Sequence, residues 1–240
     1  MVRKELASWQ EQMDRDPSFW NNLAKRMQVR INRIIPEKMH ETLTTIIKQM
    51  VRAVLTGAEY TTPPTLEATT LAVRETLVLE KIDLYRKTAA VEGGLTGAGG
   101  ILLGLADFPL LIGIKIKLLF EVCSLYGFKV EDYRERLYLL YIFQLAFSSH
   151  ERRREIYRKM RNWKEECKQL PEDIHDFDWR SFQQEYRDYI DLAKMAQLVP
   201  IIGAPVGAIV NYRLIKKLGT TAMNAYRMRW FDNELLAEKN

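Results

Sequence analysis

His40, His150 and His175 are the chain's three histidines, and each stands alone in the sequence. None has the helical spacing of a zinc site, in which two histidines four residues apart bracket a glutamate. Packing or solvent exposure is the expected role of each. Cys123 and Cys167 lack the close spacing of a metal or redox pair, which fits free thiols in a reducing compartment. Cys123 falls among Phe120, Val122 and Leu125, where a buried and unreactive thiol is expected. The carboxylate pairs Glu131 with Asp132 and Glu165 with Glu166 are adjacent, so on a helix they point to different parts of its surface and suit solvated faces. No nucleophile elbow and no phosphate-loop lysine appear. No catalytic motif, metal site or cofactor is therefore expected. An enzyme would need a polar cluster assembled from distant positions, such as Asp107 with His40 or His150.

The informative residues are small ones. Gly93 to Ile114, GGLTGAGGILLGLADFPLLIGI, holds seven of the chain's twelve glycines and one charge, Asp107. Met195 to Tyr212, MAQLVPIIGAPVGAIVNY, carries no charge, two prolines and two glycines. Three glycine pairs at four-residue spacing, Gly93 with Gly97, Gly100 with Gly104 and Gly203 with Gly207, each lie on one helix face and admit close approach of another backbone. Each interior glycine costs a helix about 1 kcal/mol, so a single unbroken span of the first segment is not expected. Instead Asp107, followed by Pro109, is expected to be the N-cap of a helix that ends at Tyr126 and Gly127. The two charge-poor segments are expected to pack on each other at the centre of the fold, with any membrane contact made from the rim. Candidates for contact with a membrane or ligand are Phe108, Leu110, Leu111, Lys115 and Lys117. The two lysines interrupt an apolar run, IGIKIKLLF, where long stems can lie on apolar surface while the ammonium reaches headgroups.

The elements that must position these residues read as helices. After Pro36, Met39, Leu43, Ile46, Ile47, Met50, Val51 and Val54 form one apolar stripe ending at Gly57. Before it, Ser18 to Ile35 forms a basic amphipathic helix. EYTTPPT, Glu59 to Thr65, breaks the pattern ahead of a helix over Leu66 to Val91. Further helices are predicted over Val130 to Ser148, Glu151 to Gln169, Trp179 to Leu198 and about Ala204 to Trp230. Period-two alternation is absent. The prediction is an all-α fold, a single multi-helix bundle of residues 1–240 with two central apolar segments rich in Gly and Ala. Residues 1–58 supply N-terminal amphipathic helices and 65–240 the main bundle.

The net charge of +5 conceals clustering. Lys25 to Arg52 holds seven basic residues against two acidic, Glu151 to Lys168 eight against four, and Arg213 to Arg229 five against none. Anionic surfaces are the favoured partners. ERRREIYRKMRNWKEECK, Glu151 to Lys168, mixes aromatics with arginines, but its acidic residues and the absence of a nucleic-acid motif favour a charged surface helix, and no nucleic acid is expected. The N-terminus has no hydrophobic run resembling a signal peptide, so a cytoplasmic protein is expected.

GGLTGAGGILLGLADFPLLI from Gly93 to Ile112, LYGF from Leu125 to Phe128, ERLYLL from Glu135 to Leu140 and PIIGAPVGAIVNY from Pro200 to Tyr212 together give the chain a resemblance. It resembles the EcsC family of bacterial proteins over most of its length. That family is named for the third gene of an operon that also encodes the ATPase and membrane subunits of an ABC transporter. The resemblance brings no catalytic residues. It implies a cytoplasmic protein working at or near the inner face of the cell membrane, with an anionic membrane surface or transporter subunits as partners. The resulting expectation is a non-enzymatic, peripherally membrane-associated accessory or regulator. The competing one is a soluble helical carrier that holds a lipid or other hydrophobic ligand in an apolar cavity.

Overall fold

The computed structural model describes residues 1–15, 45, 48–51, 54, 65–66, 69–98, 100–148, 150–176, 178 and 203–237. Seven α-helices lie within them: α1 (Val2–Asp14), α2 (Leu71–Ala98), α3 (Gly100–Leu125), α4 (Tyr133–Phe147), α5 (His150–Arg161), α6 (Trp163–Gln169) and α7 (Gly203–Ala237). A short 3-10 turn covers Ile174–Asp176. The fold is an all-α multi-helix bundle. The helices expected over 18–35 and 179–198 lie outside the described residues, while Met50, Val51 and Val54 from the stripe after Pro36 are buried in the core.

Local chemistry sets several boundaries. Gly127 adopts φ +87°, which a side chain would strain, and its N–H donates to the Ser124 carbonyl at 3.0 Å while that of Phe128 donates to Cys123 at 3.2 Å. These two bonds close α3 as a Schellman motif, so the stop expected at Tyr126 and Gly127 is where the helix ends. Arg74 fixes the same corner, donating to the carbonyls of Leu66 and Leu125 at 2.8 and 2.7 Å. Asp132 begins α4 by accepting from the Arg134 N–H at 2.9 Å. The single helix expected over 151–169 is broken at Asn162, and Trp163 turns into the core beside Tyr138 and Tyr141.

Asp107 is not a cap. α3 starts at Gly100 and runs through both Asp107 and Pro109. Bundle packing offsets the cost of the individual glycines, so their low propensity does not break the helix. Pro109 is tolerated with its ring exposed, although it has no N–H to donate to the preceding turn. Likewise α2 continues past Val91 to Ala98, so Gly93 and Gly97 are helical.

Three long helices form the frame. Glu121 in α3 meets Tyr85 and Lys81 in α2, and the Arg74 bond to Leu125 continues the antiparallel sense toward the start of α2. Along α7, Arg227 pairs with Glu75, Gly219 lies against Ile82, and the ring of Tyr212 lies under Arg86. α7 is therefore antiparallel to α2, its N-terminal part beside the α2–α3 turn. α4, buried on nearly every face, packs on α7, and α1 and α5 cover the opposite end through Glu5 to Arg227 and Trp9 on Tyr157.

Candidate functional site

The registers of α2, α3 and α7 place the described parts of the two charge-poor segments side by side. The level is fixed by Arg86 over Tyr212, centroid distance 4.8 Å, and by Lys115 Nζ donating to Asn211 Oδ1 at 3.4 Å. Beyond it lie the C-terminal part of α2, the N-terminal half of α3 and the first two turns of α7. The glycine pairs follow: Gly93 and Gly97 on α2, Gly100 and Gly104 on α3, Gly203 and Gly207 on α7. Gly93 is buried. The described parts of the two segments, residues 93–98, 100–114 and 203–212, thus lie toward the same end of the three long helices.

The candidate contact residues divide. Leu110 is 52% exposed and Leu111 fully buried; the side chain of Phe108 lies outside the described residues. Lys117 is exposed, whereas Lys115 has 0% exposure. Two residues apart on a helix means about 200° of rotation, so the two lysines cannot share a face. Lys115 therefore does not reach a surface. Its ammonium also donates to the Leu111 carbonyl at 3.1 Å, and burial lowers its pKa from 10.5 to about 7.

Among the described residues, the large exposed side chains at this end are apolar. Val91 and Leu95 on α2 are 63% and 65% exposed, and Ile209 on α7 is 53% exposed. Val91 and Leu95 sit one turn apart on the outward face of α2. Leu110 stands at the level of Leu95 by the α2–α3 register, and a Cβ on nearby Gly113 would meet nothing within 4 Å.

The other end concentrates polar groups that local sequence reading does not reveal. Arg227 donates to both oxygens of Glu75, at 2.5 and 3.0 Å, and is approached by Glu5 and Asn224. Arg229 forms two bonds of 2.5 Å to Glu135 and lies 3.9 Å from the Phe128 ring centroid and 4.7 Å from that of Tyr138. Burial lowers the Arg229 pKa, but the Glu135 carboxylate outweighs it and the net shift is upward. Tyr85 donates to buried Glu121 at 2.6 Å, and burial followed by that carboxylate raises its pKa. Cys123 is buried and burial raises its thiol well above the ordinary range, as its apolar neighbours foretold. Partners such as Glu75 and Arg227 are 152 residues apart, which no spacing rule could connect. Each of these charges meets an opposite charge or a ring inside the fold, an arrangement that holds helices in register.

His175 is exposed in the 3-10 turn, His150 opens α5, and His40 lies outside the described residues. Among the described residues, no three His, Cys, Asp or Glu side chains converge as metal ligands would. No helix there is long and apolar enough to cross a membrane. One cleft of about 380 Å³, lined mainly by the charged residues Glu11, Asp14, Arg15, Arg154 and Arg161 with Gln10 and Tyr157, lies between α1 and α5.

Comparison with known proteins is consistent along the whole chain. Residues 1–231 match the model of the EcsC protein family. Protein EcsC of Bacillus subtilis (strain 168) is 44% identical over 230 residues, covering 95% of this chain and 94% of that protein. The uncharacterized protein YdbA of the same organism is 23% identical over 248 residues, covering 94% and 90%. No solved structure matches. With a family match over nearly its full length and a relative of this identity, the chain belongs to the EcsC family.

Proposed function

We propose that this protein is a non-enzymatic accessory or regulator that associates peripherally with the inner face of the cell membrane and works with an ABC transporter. The observation that carries the membrane part is the charge-poor end of the bundle, where Val91, Leu95, Leu110 and Ile209 stand exposed on three adjacent helices. Moving such side chains out of water is favourable by roughly 1.5–3 kcal/mol for each one fully buried, and each basic residue near an anionic surface adds about 1 kcal/mol. Helices too short or too polar to span a bilayer can still bind its interface this way. The transporter part rests on the operon for which the family is named.

Flotation with liposomes tests the reading. The intact protein is expected to float with vesicles containing phosphatidylglycerol. Protein that stays at the bottom of the gradient with every lipid composition defeats it. Native mass spectrometry separates it from the carrier reading, since a carrier retains lipid through purification and a surface binder does not.

A further inference from the structure

The basic residues next to the apolar end form a ring. By the α2–α3 register, Lys87 stands level with Lys117; by the α2–α7 register it stands level with Arg213. All three side chains are exposed, one from each long helix. Lys87 holds Asp83 at 2.5 Å on the side away from the apolar end. Lys216 and Lys217, also exposed, follow one turn further along α7. On the apolar side of the ring, the sequence from Thr88 to Ile114 has only Glu92, which is half-buried, and Asp107 as charges, and α7 has none before Arg213. At 1.5 Å per residue, Val91 lies about 6 Å and Leu95 about 12 Å beyond Lys87. Val91 thus falls within, and Leu95 just beyond, the roughly 5–10 Å to which interfacial helices are buried in the headgroup and acyl boundary.

We propose that the protein docks end-on to an anionic bilayer, with the turn of the α2–α3 hairpin and the start of α7 entering the acyl boundary while Lys87, Lys117 and Arg213 bind lipid phosphates. This rests on the peripheral-membrane reading above and adds its orientation and its lipid partner. Charge complementarity selects the occupant, because one flat surface must offer hydrocarbon to the tip and phosphate to three helices at once. A bilayer leaflet has those two layers in that order. The long lysine and arginine stems let each charge stay in the headgroup layer while its helix sinks.

The experiment uses the full chain carrying Cys167→Ser, Cys123 being buried, with an environment-sensitive fluorophore on Leu95→Cys, Leu110→Cys or, at the opposite end, Lys4→Cys. Vesicles are phosphatidylcholine with or without phosphatidylglycerol. Expected are a blue shift and intensity gain at the two tip positions and none at Lys4→Cys, only with phosphatidylglycerol. Neutralising the ring with Lys87→Gln, Lys117→Gln and Arg213→Gln is expected to weaken vesicle binding about 100-fold, near fivefold per charge, with an unchanged unfolding midpoint. If vesicles bind but the tip labels do not respond, or Lys4→Cys responds instead, the orientation is overturned while the membrane reading stands. Binding unchanged by the triple variant overturns the ring. A tip blue shift at high protein concentration without vesicles assigns the surface to a second copy and overturns the proposal. Absence of wild-type binding to any vesicle defeats the membrane reading itself.

Discussion

The two ends of this bundle use apolar side chains in opposite ways. At the α1 end, rings surround charges: Arg229 sits among Phe128, Tyr138 and Tyr226 and is neutralised by Glu135, and Arg3 lies 4.4 Å from the Phe231 ring centroid. At the hairpin end the helices carry almost no charge, and leucine, valine and isoleucine face outward. The total hydrophobicity of a helix does not distinguish these ends. The placement of charge does, since a buried charge demands a specific partner within the chain whereas an exposed apolar patch invites one from outside. The α1 end is thus specified by the fold, and the hairpin end by what it meets.

The difference between the two ends is tested most severely at Glu135. Glu135→Ala leaves Arg229 enclosed without its carboxylate, and loss of one member of a buried pair costs about 3–5 kcal/mol. Chemical denaturation is expected to show that loss, with part of it recovered in Glu135→Ala combined with Arg229→Met. Equal losses in the single and double variants would mean that the pair does not organise this end.

Lys115 lies at the boundary between the regions and, among the described residues, its ammonium donates to the Leu111 carbonyl and the Asn211 amide with no carboxylate beside it. With its pKa lowered from 10.5 to about 7, the unfolded chain holds a proton there that the folded chain lacks between those values. Stability therefore rises with pH across that window, and the burial cost is greatest below pH 7. Lys115→Met is expected to stabilise the protein at pH 6 by at most on the order of 5 kcal/mol and to flatten the wild-type slope. Parallel stability curves for wild type and variant from pH 6 to 10 would show that the ammonium is solvated. A smaller effect is expected at Gly219, where an added Cβ would fall 2.5 Å from Ile82 Cγ1. Gly219→Ala is expected to destabilise by about 1–3 kcal/mol through overpacking, and less so with Ile82→Ala.

How much of this was legible depended on the range of the interaction concerned. The all-α class followed from helical periodicity, and the stop at Gly127 and the burial of Cys123 from immediate neighbours. Gly127 supplies the conformation its turn needs, and Cys123 sits between side chains that face the core. At Asp107 local cap chemistry favours a helix start, whereas bundle packing carries α3 seven residues further back. Lys115 and Lys117 do not form a snorkelling pair, because their two-residue spacing puts them on different faces; helix geometry alone separates them. The Glu75–Arg227 and Glu135–Arg229 pairs bridge 152 and 94 residues, and only the assembled fold brings them together. The basic ring was also hidden, since Lys87, Lys117 and Arg213 share a level only once the antiparallel registers of three helices are known.

The mildest test concerns the hairpin end and predicts gain or indifference where the opposite end would show loss. Gly113 is helical, exposed and faces open space, so Gly113→Ala relieves the conformational cost of glycine without meeting a neighbour. A gain of about 0.5–1 kcal/mol is expected in denaturation midpoints. Leu95→Ser, on a side chain already 65% exposed, is expected to change stability by less than about 0.5 kcal/mol while weakening vesicle flotation. That separation follows from the comparison, because a residue whose partner lies outside the chain contributes little to folding and much to association. If Leu95→Ser instead destabilises the free protein as strongly as Gly219→Ala, the hairpin end is packed against the rest of the fold in solution, and the distinction between the two ends disappears.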